Sequence, residues 1–248
     1  MASSQHVALY GFIRRKDGLR THPFGIDRSP CFLFHAGGQS GAVVSLVNPK
    51  TFRPGLTNMV RHEEIVHKVF NKQVFLPVKF PKVLSLTSLR RSMSDLDREI
   101  GRVLQKIIFK TEFHLKVFLL DQVNLEMPSL YFNAFSKYIM DHSSQFRYKH
   151  YFPILTKEAK EAEFLNYAEQ VVNDISHKLC EKSMYWRAKT FSSEKILLDA
   201  VFWVRKHRAQ GFTDEVASIK QFYPNLKISL LGPNPPYNFV KIDLKEYV

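Results

Sequence analysis

The stretch LKISLLGPNPPYNFV, residues 226–240, decides how the chain is read. Leu226, Ile228 and Leu230 alternate with Lys227 and Ser229, the two-residue period of a half-buried strand. Gly232 and Pro233 then interrupt it. Pro233, Pro235 and Pro236 lack amide donors and hold φ at the polyproline value, so the spacing predicts a strand that ends at Leu231. Tyr237 and Phe239 follow as large apolar anchors on a stiff backbone. A segment of this kind is built to lie across a surface. The first reading is the surface of its own domain, because apolar groups are mostly buried within the chain that carries them. The second is a docking surface for a partner, formed by Pro233, Pro235, Pro236, Tyr237 and Phe239.

Upstream of this stretch the pattern is strand and helix by turns. Val7–Ile13 is an unbroken apolar run and reads as a central strand. Cys31–His35 and Ala42–Val47 read as a hairpin around the turn AGGQSG. Leu56–Phe70 carries Val60, Ile65, Val66, Val69 and Phe70 at helical spacing. Val74–Phe80 is a strand whose Pro77 places it at an edge or a bulge. Ser85–Phe109 is the longest helical pattern, with Ser85 as its N-cap, and Phe113–Leu120 is the next strand. The order predicts an α+β fold with helices packed on one face of a mixed sheet.

Residues 121–156 change character and hold the best domain boundary. Beyond them the pattern predicts a helix over Thr156–Arg187, begun by Thr156 with Glu158 and Glu161 in its first turns. A strand over Ile196–Val204 follows, then a helix over Gly211–Phe222 capped near Thr213. With the final strand this second half reads as a ferredoxin-like sandwich. The expected organisation is an N-terminal α/β domain over 1–121, a ferredoxin-like domain over 122–232 with a variable insert near 122–156, and a Pro-rich tail over 233–248.

Composition narrows the class. A chain of 248 residues, 45% hydrophobic and 24% charged, is long enough for one large or two small cores and is not disordered in bulk. Thirty-six Lys and Arg against 23 Asp and Glu leave a net charge of +13, which attracts polyanions unless it is only a solvated basic surface. Cys31 and Cys180 are far apart and outside any CxxC, so both read as small buried hydrophobes in a reducing compartment. The apolar run near the N-terminus has no basic residues before it, and no run approaches a membrane span. The expectation is a soluble cytoplasmic protein that does not enter the membrane.

No motif carries catalysis. GGQSGA at 37–42 is not GxSxG, because Ala42 stands where the last glycine belongs, and it lacks the lysine of a phosphate loop. His62 and His67 in HEEIVH are five apart, so they do not form the HExxH zinc pair. No carboxylate pair or nucleophile elbow appears. The chain is therefore expected to be no enzyme, with no cofactor and no metal. A nucleic-acid-binding module is the alternative, favoured by the charge, the ferredoxin-like pattern and the basic-aromatic run Gln145–Tyr151. Against it, no strand carries the aromatic signature of an RNA-recognition sheet.

Several pieces, in order, bear a family resemblance. GPNPPYNFV at 232–240 resembles the GPWPPYSFV signature that closes proteins of the gas vesicle GvpL/GvpF family. ALYGFI at 8–13 is similar to that family's opening strand, and GAVVSLV at 41–47 to its next. VFLPVKFPKVL at 74–84 resembles VLPVRFGTVF, with His62 fifteen residues before Pro77 in the place of a common helix histidine. Glu112 ahead of FHLKVFLL, and DAVFWV at 199–204, match two further segments. The chain departs from the pattern at Asn234 for Trp, Asn238 for Ser and Pro81-Lys82 for Gly-Thr, and Ser129–Phe132 echoes a Gly-x-x-Tyr-Leu region only faintly. The resemblance implies two α/β domains, the second a modified ferredoxin fold, with a C-terminal tail. It also implies a gas vesicle accessory protein that binds the hydrophobic shell protein GvpA and other Gvp proteins while the vesicle forms.

Overall fold

The structure, a computed structural model, describes residues 5–120, 167, 169–188, 196–240, 242 and 244. The strands are β1 (His6–Arg14), β2 (Phe32–His35), β3 (Ser40–Val47), β4 (Leu76–Pro77), β5 (Val83–Ser85), β6 (Lys110–Leu119), β7 (Tyr185–Ala188), β8 (Ile196–Arg205) and β9 (Leu226–Asn234). The helices are α1 (Leu56–Phe70), α2 (Leu86–Lys106), α3, whose described part covers 167 and 169–182, and α4 (Ala209–Phe222). Two compact units result. The first takes Met1–Phe113, Val201–Ala209 and Leu231–Val248, and the second His114–Ala200 and Gln210–Leu230.

The first unit is built on β1. Its sheet runs β2-β3-β1-β4, with β5 also paired to β1. Val7, Leu9 and Phe12 face one core, shared with Leu89, Met93, Ile100 and Leu104 of α2. Ala8, Tyr10 and Ile13 face another, shared with Ile65, Val66, Val69 and Phe70 of α1. That double burial is why Val7–Ile13 is apolar without alternation. The register slips between Leu9 and Gly11, where a Cβ would stand 2.2 Å from the Leu76 carbonyl oxygen, so only glycine lets β4 approach. Every pairing in this sheet is antiparallel, and helices cover both of its faces, where the sequence pattern pointed to a mixed sheet covered on one. A strand apolar on both sides needs both covered.

Local signals place the ends of these elements. The Ser85 hydroxyl accepts the Ser88 amide at 3.1 Å and caps α2 as expected. Pro77 lies in β4 at the edge of the sheet, where its missing amide hydrogen breaks no ladder.

The other sheet has the order β7-β8-β6-β9. Numbered by appearance, its strands lie 2-3-1-4, with α3 between the first and second and α4 between the third and fourth. That is the ferredoxin-like arrangement read from the sequence. Boundaries moved at three places. The helix predicted to reach Arg187 stops at 182, and Tyr185–Ala188 is strand. The helix predicted to be capped near Thr213 begins at Ala209, because the 3-10 turn Lys206–Arg208 runs straight into it. The strand predicted to stop before Gly232 continues through Pro233 to Asn234. β9 is an edge strand, so a residue without an amide hydrogen is tolerated there. Gly232 (φ 141°) permits the close pass: a Cβ on it would lie 2.8 Å from the Glu112 carbonyl oxygen. The insert near 122–156, with the run Gln145–Tyr151 and Ser129–Phe132, and the helix start at Thr156 lie outside the described residues.

Candidate partner interface

The Pro-rich segment leaves β9 and lies on the first unit. Thr111 donates its hydroxyl to the Asn234 carbonyl at 3.0 Å, which pins the end of the strand. Pro235 and Pro236 are buried, and the Tyr237 amide returns to the Pro235 carbonyl at 2.9 Å. Three side-chain fastenings follow in three residues. The Tyr237 hydroxyl donates to Glu63 of α1, 3.1 and 3.2 Å from the two carboxylate oxygens. The Asn238 amide hydrogen donates to Glu112 Oε2 at 2.9 Å, and the Asn238 side-chain amide donates to Oε1 of the same carboxylate. The Phe239 ring stacks on Trp203, centroids 5.3 Å apart and planes within 4°. Tyr237 thus joins the α1-side core, while Phe239, Val240, Ile242 and Leu244 join the α2-side core.

The electrostatics match this seating. Burial, then the Glu63 carboxylate, push the Tyr237 phenol far above its ordinary range. Glu112 is only 3% exposed, and the two Asn238 donors supply bonds its desolvated carboxylate requires. Lys110 and Lys106 place their ammonium groups 4.8 and 5.4 Å from the Trp203 ring centre. Burial lowers the Lys110 ammonium, and the neighbouring Lys106 and Arg205 lower it further.

Of the five residues named from the sequence, Pro235 and Pro236 are buried, Tyr237 and Phe239 are partly buried against their own unit, and Pro233 is exposed. This is the seat that the intramolecular reading describes. One of the family departures also acquires a place: the Asn238 side chain holds Glu112.

What the sequence reading missed is the outer face of α1. Leu56, Met59 and Val60 are 72%, 43% and 48% exposed, although Val60 shares the helical spacing of Ile65, Val66 and Val69. Their spacing of three and four residues puts them on one side of the helix, and Glu63, the anchor of Tyr237, continues that side by one turn. The signal was present as a second apolar row, offset from Ile65, Val66 and Val69. His62 lies on the buried side. Its Nε2–H donates to the Val78 carbonyl at 2.8 Å, and its ring packs 5.2 Å from Tyr10 and 5.6 Å from Phe80. Burial above all keeps the ring neutral, below the usual histidine value. Elsewhere, His114 contacts Asp199 at 2.5 Å, with Lys116 on the other carboxylate oxygen. Among the described residues no three potential ligands gather for a metal, and no helix is long and apolar enough to cross a membrane.

An α+β architecture with a ferredoxin-like strand order, tied at its C-terminal side by a Pro-Pro-Tyr turn, defines the class. The family model for gas vesicle synthesis protein GvpL/GvpF matches residues 7–241, and the chain belongs to that family. Two crystal structures share the fold. Gas vesicle protein GvpF from Anabaena sp. PCC7120 superposes with a TM-score of 0.80 at 17% identity, over 97% of this chain and 100% of that one. GvpF from Microcystis aeruginosa gives 0.74 at 18% identity over the same shares. No curated protein matches the chain.

Proposed function

We propose that this chain is an accessory protein of gas vesicle assembly, working in the cytoplasm at the forming vesicle by binding the hydrophobic shell protein GvpA and other Gvp proteins, without catalysis or cofactor. Membership of the gas vesicle synthesis family carries the reading. The apolar row on α1 supports it. A shell subunit with a water-repelling face aggregates unless that face is covered, and Leu56, Met59 and Val60 offer apolar contact on a rigid helix. In this reading Pro233 is the exposed member of the C-terminal segment and touches the partner. Pro235, Pro236, Tyr237 and Phe239 act from beneath, with Tyr237 fastening the segment to α1 through Glu63.

The test is capture of the organism's own shell protein by the purified chain at low and high salt. Salt-resistant capture, lost in the triple variant Leu56→Gln, Met59→Gln, Val60→Gln while the circular dichroism spectrum is unchanged, supports the reading. Capture only at low salt, or capture indifferent to the triple variant, removes α1 as the contact. Nucleic acid co-purifying in place of the shell protein turns the assignment to a nucleic-acid-binding module.

A further inference from the structure

A pocket of about 840 Å³ lies in the first unit beside the end of β1 and the face of α2. Arg14, Arg15 and Lys16 line it from one side. Arg98 and Arg102, one helical turn apart, line it from α2. Like charges at that helical spacing repel, and three further cations line the same pocket. No carboxylate pairs with any of the five among the described residues.

One acidic group lines the pocket, and it is already engaged. The Asp97 carboxylate accepts the Gln39 amide at 3.0 Å, the Ser40 amide at 2.9 Å and the Ser40 hydroxyl at 2.5 Å. Burial alone raises an acid of this kind, but these hydrogen bonds outweigh it and hold the carboxyl below its ordinary value. Asp97 therefore stays ionised and fastens the β2–β3 turn to α2, with its acceptor sites turned to Gln39 and Ser40. Five cations less this one carboxylate leave the lining with a surplus of four positive charges.

The pocket has the size of a small-ligand site. Guanidinium forks grip phosphate oxygens in pairs, and lysine adds a point charge. The lining holds no aromatic ring, and Leu104 is its one large apolar side chain. A nucleobase finds no stacking platform there, so base-selective nucleotide or RNA binding is disfavoured. A chain of three phosphates carries about four negative charges near neutral pH, which matches the surplus. We propose that this pocket binds an oligophosphate by its phosphate chain, irrespective of any base attached to it. The site is separate from the α1 row and does not depend on the role proposed for that row.

Calorimetric titration of the full chain with sodium tripolyphosphate, ATP, GTP and an oligoglutamate peptide tests this. The expected result is binding of the first three with affinities within about threefold of one another, falling steeply with salt. Arg98→Glu with Arg102→Glu weakens it by about tenfold or more, since each lost charge-assisted contact is worth that order. Lys68→Glu with Lys72→Glu changes the net charge equally, at the α1 side of the same sheet and away from the α2 face, and leaves binding within about threefold. Both pairs are exposed, so circular dichroism should report the same fold as wild type. A strong preference for one base, tighter binding of oligoglutamate than of tripolyphosphate, equal loss in both double variants, or no binding at all would each overturn the proposal.

Discussion

Tyr237 and Phe239 on the C-terminal segment, and Leu56, Met59 and Val60 on α1, are large apolar side chains of one unit with opposite fates. The first two are seated: a hydroxyl on Glu63, a ring on Trp203. The other three face outward, with Leu56 72% exposed. The aromatic pair brings its own fastening chemistry, a donor and a flat stacking face, and the unit supplies matching partners. The aliphatic row has nothing but surface to offer, which is what an apolar partner needs. The conspicuous sequence signature is fastened to its own unit, and the inconspicuous row is left exposed.

Four experiments sharpen or break that contrast. Phe239→Ala should have the largest effect, lowering the unfolding free energy by about 2–4 kcal/mol in urea titration, as loss of a packed aromatic ring does. A loss near zero would make the segment a loose strap and return it to the docking role. Tyr237→Phe should cost about 1–2 kcal/mol through the lost bond to Glu63. It should also alter the alkaline behaviour. A phenol whose folded pKa is raised stabilises the fold below its unfolded value near 10 and loses that contribution as pH rises beyond it. Wild type should therefore weaken more steeply above about pH 10 than Tyr237→Phe, while Tyr10, pushed up to about 12, contributes equally to both.

His62 tests the buried side of α1 against its exposed row. Its folded pKa is depressed by burial, so stability is full above the unfolded value of about 6.5 and falls as pH drops below it. His62→Gln should cost about 1 kcal/mol at pH 8 and remove that acid slope. The smallest effect on stability belongs to the outer row. Leu56→Gln, Met59→Gln and Val60→Gln should each stay within about 0.5 kcal/mol of wild type, yet together abolish shell-protein capture. A large loss of stability from the triple variant would show the row to be part of the core after all.

The strands and helices were largely legible because burial writes its own period. The double-sided run of β1, the Ser85 cap, the edge position of Pro77 and the helix over Leu56–Phe70 all appear where local pattern put them. The failures have a common cause. Passage of β9 through Gly232–Pro233 depends on the close approach of β6, and the end of α3 depends on Tyr185 and Trp186 finding a strand partner. Neither has a local signature. The same holds for Glu112 and Asn238, which are 126 positions apart. The basic pocket was half visible, as Arg14-Arg15-Lys16, but nothing in the sequence placed Arg98 and Arg102 beside it.

The first unit is assembled from three separate stretches of chain, and the last of them, from Leu231, carries the ring that stacks on Trp203. On the ribosome, residues up to Phe113 emerge long before that ring is made. At synthesis rates of about 5–20 residues per second the interval is on the order of ten seconds. Through that time the α2-side core lacks Phe239 and, for most of it, Trp203 as well. The unit closes only once the stretch from Leu231 has been made, so its maturation is timed by the arrival of that stretch and not by the folding of the sheet built on β1.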